Sequence, residues 1–150
     1  MSQSSKKLSD QEQAERLTKA WMDQGFMRLV GAVPGTIRTG YAEISVDNRP
    51  EISQQYGFIH GGIIGFLADN ACAGAAGTMR PTPDALTLTA EYKINLLRPA
   101  IGTRAIARGE VIKAGRTQAV VEAPVYCEDK GEEKLVAIAL ATVAYVTQAA

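Results

Sequence analysis

A single carboxylate stands in the most apolar stretch of this 150-residue chain. Asp69 is the only acidic or basic side chain between His60 and Arg80, in the run His60-Gly-Gly-Ile-Ile-Gly-Phe-Leu-Ala-Asp69-Asn-Ala-Cys-Ala-Gly-Ala-Ala-Gly-Thr-Met79. Taking a lone carboxylate out of water costs on the order of several kcal/mol after relaxation. Such a group is kept where a partner compensates it, or where its charge is used. Asp69 is therefore either on the one exposed edge or subunit contact of a helix, or a catalytic nucleophile or general base. Upstream, Gly61-Gly62 leaves backbone N–H groups unscreened at a helix start, where the helix dipole adds to their pull on negative charge. Donors of this kind hold an oxyanion, each worth about two to three orders of magnitude in rate; the same two glycines can also make no more than a tight turn. His60 is the only histidine, and alone beside apolar neighbours it reads as a hydrogen-bonded structural residue. With no second His, and Cys72 the only soft ligand nearby, no metal site is expected. No serine sits in a Gly-flanked elbow, which argues against a Ser-His-Asp arrangement.

Nine residues separate His60 from Asp69, about 13 Å at helical rise. Reacting atoms must approach to roughly 3–3.5 Å, so Gly61 and Asp69 of one chain cannot readily serve one carbonyl. Two antiparallel copies of the helix would bring one chain's Gly61 to the other's Asp69. The spacing predicts a symmetric dimer with two composite sites.

The elements that must hold these residues are legible from period and punctuation. Ser9-Asp-Gln-Glu12 reads as a capping box, followed by Ala14, Leu17 and Trp21 at helical spacing, with Gly25 as a stop. From Thr39 the period becomes two, with Ala42, Ile44 and Val46 on one face, and Asp47-Asn-Arg-Pro50 ends that strand. In the run Leu86 to Leu96, Leu86, Leu88, Ala90, Tyr92, Ile94 and Leu96 are expected on one face. Thr87, Thr89, Glu91, Lys93 and Asn95 are expected on the other. Further strands are expected at about 103–113, 117–127 and 135–146, joined by Lys113-Ala-Gly-Arg116 and the 128–133 turn. Pro124 predicts an edge position or a bulge for its strand. The segment 60–79 lacks period-two alternation and is small or apolar nearly all round, so it reads as a helix buried on most faces. About five antiparallel strands curved around that helix give an α+β class.

Composition sets the bounds. Sixteen Lys+Arg balance sixteen Asp+Glu, for a formal net charge of zero, so no strong field argues for nucleic acid or an anionic membrane as partner. Two cysteines are too few for a disulfide scaffold, the start carries no apolar signal region, and no stretch is long and apolar enough to span a bilayer. The expectation is a disordered segment 1–8 and one soluble, cytoplasmic domain over 9–150.

Together these residues resemble a known family. Gly57-x-x-His60-Gly61-Gly62 with Asp69 nine residues after the His is similar to the hotdog-fold acyl-CoA thioesterases of the phenylacetic-acid-degradation (PaaI-like) group. Thr89-x-Glu91-Tyr-Lys-Ile-Asn-Leu-Leu-Arg98-Pro99-Ala resembles that family's next strand, and Lys113-Ala-Gly-Arg116 its following hairpin. The resemblance covers roughly residues 26–146. It implies hydrolysis of an acyl-CoA to free acid and CoA by a homodimer with composite sites, further paired into a homotetramer, with no cofactor. It implies Asp69 as nucleophile or general base, and the Gly61 amide of the other subunit polarising the thioester carbonyl. His60 would orient the site near the sulfur. Thr89, or less favourably Thr87, would help hold the lytic water. Where many members carry Asn this chain has Gln54, the same amide on a longer arm, with Gln55 a rival. Arg98, Lys113 and Arg116 are candidates for the phosphates of CoA. The alternatives are a non-catalytic acyl-CoA sensor or carrier of the same fold, and a hotdog dehydratase or hydratase.

Overall fold

The computed structural model of the chain describes residues 8–147. The expectation of disorder over 1–8 falls, apart from Leu8, outside them. Ser9 caps α1 (Asp10–Met22) as the sequence predicts, its hydroxyl accepting from the Glu12 amide while the Glu12 carboxylate accepts from the Ser9 amide at 2.7 Å. Gly25 does not end that helix. Asp23 is its C-cap, and Gly25 instead opens a short second helix, α2 (Gly25–Val30), which closes on Gly31 at φ 72°.

Six strands follow, β1 (Val33–Arg38), β2 (Tyr41–Asp47), β3 (Leu86–Leu96), β4 (Arg104–Ala114), β5 (Gln118–Asp129) and β6 (Glu132–Val146), with the long helix α3 (Gly61–Gly77) between β2 and β3. They form one sheet in the order β1-β2-β4-β5-β6-β3, every neighbouring pair antiparallel. α3 packs across one face of that sheet against β2 to β6. This is the hotdog architecture that the resemblance implied.

The sheet has one strand more than expected. β1 carries Pro34 and Gly35, which break period two. It lies at an edge, where a missing N–H costs no ladder bond, and its register shifts between Pro34 and Ile37. Pro124 does not lie at an edge: β5 runs inside the sheet between β4 and β6. The β4–β5 ladder pairs Ala107 with Val125 and then Glu110 with Glu122, skipping the rungs at Pro124 and Ala123. On the β6 side the register shifts between Val125 and Tyr126. The register on the β4 side is the same before and after the gap, so the proline sits where that ladder is open, with the bulge on the β6 side one residue further on.

The larger correction concerns β3. Its register against β6 shifts between Thr89 and Glu91, so Ala90 is an extra residue and the faces exchange there. Thr87 and Thr89 face α3, and so do Tyr92 and Leu96 beyond the bulge. An added Cβ on Gly77 would lie 3.4 Å from Thr87 Oγ1, one on Gly65 would lie 3.2 Å from the Tyr92 hydroxyl, and one on Gly61 would lie 3.2 Å from Leu96 Cδ1. Leu88 is exposed on the outer face. The strand is not one apolar face opposed to one polar face.

Backbone approach at Gly109 sets the height of α3 above the sheet. A Cβ added there would overlap the Ala71 carbonyl oxygen, and neither a helix nor an inner strand can step aside cheaply. Gly109→Ala is expected to cost about 2–3 kcal/mol and to lower Tm by roughly 5–10 °C in a thermal melt. An unchanged melt would mean that α3 does not rest on β4.

Candidate active site

α3 presents one half-exposed stripe, Gly61, Ile63, Phe66, Asp69, Asn70, Ala73 and Gly77, with Gly62 exposed at its start, and its remaining positions are buried. Asp69 lies on this stripe, half-buried rather than enclosed. Its carboxylate is met from β3, where the Thr89 hydroxyl donates to Asp69 Oδ1 at 2.6 Å. The bulge at Ala90 makes this contact compatible with Tyr92 and Leu96 also facing the helix. Along α3, Gly61, Gly65, Asp69 and Gly77 fall on a row of four-residue spacing. Their partners across β3 are Leu96, Tyr92, Thr89 and Thr87 in turn. Small residues let the strand lie close, and the one acid in the row meets a hydroxyl. That spacing was legible in the sequence; the strand residues it selects were not.

At the N-terminus of α3 the two glycines part company. His60 is the N-cap, and its Nδ1 accepts from the Gly62 amide at 2.9 Å. That bond makes Nδ1 an acceptor and puts the proton of a neutral ring on Nε2. The Gly61 amide, first in the helix, has no acceptor among the described residues. Gly61 lines a cavity of about 430 Å³ together with Gln54, Phe58, Leu96, Leu97 and Arg98. His60 and Gly62 line a different cavity of about 330 Å³, with Phe26 and Ile63.

The loop that brings Gln54 to Gly61 is fixed by backbone bonds. Gln54 N–H donates to the Phe58 carbonyl at 2.8 Å, Gly57 N–H to the Gln54 carbonyl at 2.9 Å, and His60 N–H to Ile52 at 2.9 Å. Gly57 takes φ 80°, a turn conformation that suits glycine. The Gln54 Oε1 accepts from the Tyr56 amide, leaving the NH₂ group for other acceptors. Gln55 is exposed and does not line the cavity.

The structure thus brings Asp69 to Thr89, and Gln54 and Arg98 to Gly61. It does not bring the two groups together within one chain, since Gly61 and Asp69 stand about 12 Å apart along the helix. Lys113 and Arg116 are exposed at the β4–β5 hairpin and do not line the cavity that Arg98 does. Burial, with the Asp69 charge adding to it, pushes the Cys72 thiol up to about 12, so Cys72 is no thiolate nucleophile at neutral pH. Among the described residues no three His, Cys, Asp or Glu side chains form a group that would hold a metal ion, and no helix is long and apolar enough to cross a membrane.

A sheet curved on a glycine-rich helix, with a carboxylate–hydroxyl pair in mid-helix and an open amide at its start, defines a class of protein. The chain belongs to the thioesterase superfamily, whose family model matches residues 56–134, and its class is thioester hydrolase. It is similar to a thioesterase family protein from Silicibacter pomeroyi, at 34% identity and a TM-score of 0.86, covering 91% of this chain and 99% of that one. It is 27% identical over 121 residues to the 1,4-dihydroxy-2-naphthoyl-CoA hydrolase of Listeria monocytogenes, covering 80% of this chain and 94% of the relative. The E. coli PaaI protein from the phenylacetic acid degradation operon shares the fold, with a TM-score of 0.80 at 18% identity over 92% of this chain and 96% of that one.

Proposed function

We propose that the protein is an acyl-CoA thioesterase acting as a homodimer, with Asp69 of one subunit and the Gly61 amide of the other serving one thioester. The Thr89–Asp69 hydrogen bond of 2.6 Å on the half-exposed stripe of α3 carries this reading. A carboxylate so held cannot turn into the sheet, and it keeps Oδ2 for attack on a carbonyl or for taking a proton from water. The Gly61 amide has the character of an oxyanion donor, being open and at the positive end of a 17-residue helix.

The dimer reading draws support from what this chain leaves uncovered. β3 is an unpaired edge strand, and the stripe of α3 beside it is small and apolar around Asp69. A second antiparallel copy would cover both and deliver Gly61 to Asp69. Gln54 would then orient the thioester from beside Gly61. His60, locked by the Gly62 amide, would hold the helix start rigid and present Nε2–H towards the sulfur. Arg98, at the rim of the Gly61 cavity, has the stronger case for CoA phosphate, with Lys113 and Arg116 reaching it only across subunits. Outward-facing Leu88, Ile138 and Leu140 offer a surface on which dimers would pair into a tetramer. The free thiols of Cys72 and Cys127 suit a reducing, cytoplasmic setting.

Thiol release with phenylacetyl-, benzoyl-, dihydroxynaphthoyl- and straight-chain CoA esters tests the activity, and turnover of at least one ester is the expected result. Tight binding without thiol release would instead define a sensor. Water addition to an enoyl-CoA would define a hydratase.

A further inference from the structure

A cavity of about 220 Å³ runs between α1, α3 and the start of β3. On α3 it is lined by Asn70, Ala73, Gly74 and Gly77, so it begins one residue past Asp69 and follows the helix towards its C-terminus. Leu17 and Trp21 of α1 form the opposite wall. Gly74 makes the wall possible, because a side chain there would strike the Trp21 ring. Polar Asn70 and Gln24 stand at the near mouth, and the middle, between Leu17, Trp21, Ala73 and Gly74, is apolar. The far part is not: Gln13, Arg16, Thr78 and Arg80 close it, and the same four residues line an adjoining cavity of about 240 Å³.

Arg16 and Arg80 are both half-buried, and neither reaches a carboxylate among the described residues. Their hydrogen bonds go to backbone carbonyls, Arg16 to Pro83 and Arg80 to Ala85 at 3.5 Å. Each guanidinium has five N–H donors, so most remain for a ligand. Burial and the neighbouring Arg16 charge both hold Arg80 below its ordinary value. Two like charges sharing half-buried ground at the far end of that channel cost stability. An anion between them would offset that cost.

Resting on the thioesterase reading of Asp69, we propose that this channel receives the acyl chain and that the preferred acyl group carries a carboxylate at its far end, clamped by Arg16 and Arg80. The dimensions suit a chain of medium length. From Asp69 to Thr78 is nine residues, about 13 Å of helix. An extended chain advances about 1.25 Å per carbon and the reacting carbonyl stands roughly 3–3.5 Å from the carboxylate, so a chain of roughly eight to nine carbons covers the rest of that span. A methyl-ended chain of the same length would leave the two cations without a partner, and a site built for a polar group discriminates strongly against its loss.

The test compares kcat/KM for suberoyl-CoA and octanoyl-CoA, two eight-carbon esters that differ only at the far end. The wild-type chain is expected to favour suberoyl-CoA at least tenfold. Arg80→Gln and Arg16→Gln are each expected to lower that ratio at least tenfold, and Arg80→Lys, which keeps the cation, to lower it less. Calorimetry of free suberate against octanoate reads the same subsite without turnover. A wild-type ratio near one, an equal loss on both esters in the Gln variants, or suberate binding no tighter than octanoate would each overturn the proposal. Arginine-dependent suberate binding in a chain that hydrolyses neither ester would keep the subsite and reject the hydrolase reading.

Discussion

Asp69→Ala is expected to lower kcat by at least a hundredfold, on the order of loss of a catalytic acid or base, while the chain keeps its melt and its oligomeric state. The fold has little at stake in this side chain. It is half-buried on the stripe of α3, its side-chain hydrogen bond comes from the Thr89 hydroxyl, and Ala is a better helix former than Asp. Asp69→Asn sharpens the comparison, because the amide oxygen can still accept from Thr89 at the observed geometry. If the carboxylate attacks or takes a proton, Asn fails nearly as badly as Ala. If it only anchors Thr89, Asn restores most of the rate. Cys72 offers no alternative nucleophile, since it is fully buried and its thiol is pushed up to about 12. Turnover within tenfold of wild type in both variants would remove Asp69 from the chemistry.

The parts of this site that one element carries were readable from the chain alone. The capping box at Ser9, the helix after His60 and the isolation of Asp69 depend on local spacing, and the structure reproduces them. Features that depend on two strands agreeing were not readable. Nothing in Leu86 to Leu96 marks Ala90 as the residue to be bulged out, because the alternation is regular through it. The need for the bulge is tertiary. Thr89 must meet Asp69 while Leu96 and Tyr92 lie over Gly61 and Gly65, and a two-residue period cannot satisfy all three on one face. β1 was hidden for the opposite reason, since Pro34 and Gly35 carry turn chemistry into a strand that only an edge tolerates. Pro124 signalled an edge or a bulge, and the interior strand took the second, skipping its rungs locally instead of moving to the rim. The distinction between the Gly61 and Gly62 amides also lay beyond the sequence, for it depends on His60 turning its Nδ1 onto the second of them.

That distinction permits a backbone amide to be deleted almost cleanly. Gly61 is the first residue of α3, where proline is favoured because its missing N–H would have no helical partner. His60 sits at φ −61°, ψ 137°, in the polyproline-like extended region that suits a residue before proline. The added ring carbons meet the flexible end of Leu96, 3.2 Å from the ideal Cβ position. Gly61→Pro should therefore fold, and Gly61→Ala, which brings the same Cβ but keeps the amide, is its control. If the Gly61 amide holds the developing oxyanion, the proline variant turns over about a hundredfold or more below the alanine variant. Equal rates in the two would assign the oxyanion elsewhere. The same variant decides whether the site is shared. In a dimer of one Gly61→Pro chain and one Asp69→Ala chain, one site has both lesions and the other has neither. Random mixing makes half of the dimers mixed, so two nearly inactive proteins should together recover about a quarter of wild-type activity. If Gly61 and Asp69 instead served a thioester within one chain, every chain in the mixture would carry a lesion and mixing would restore nothing.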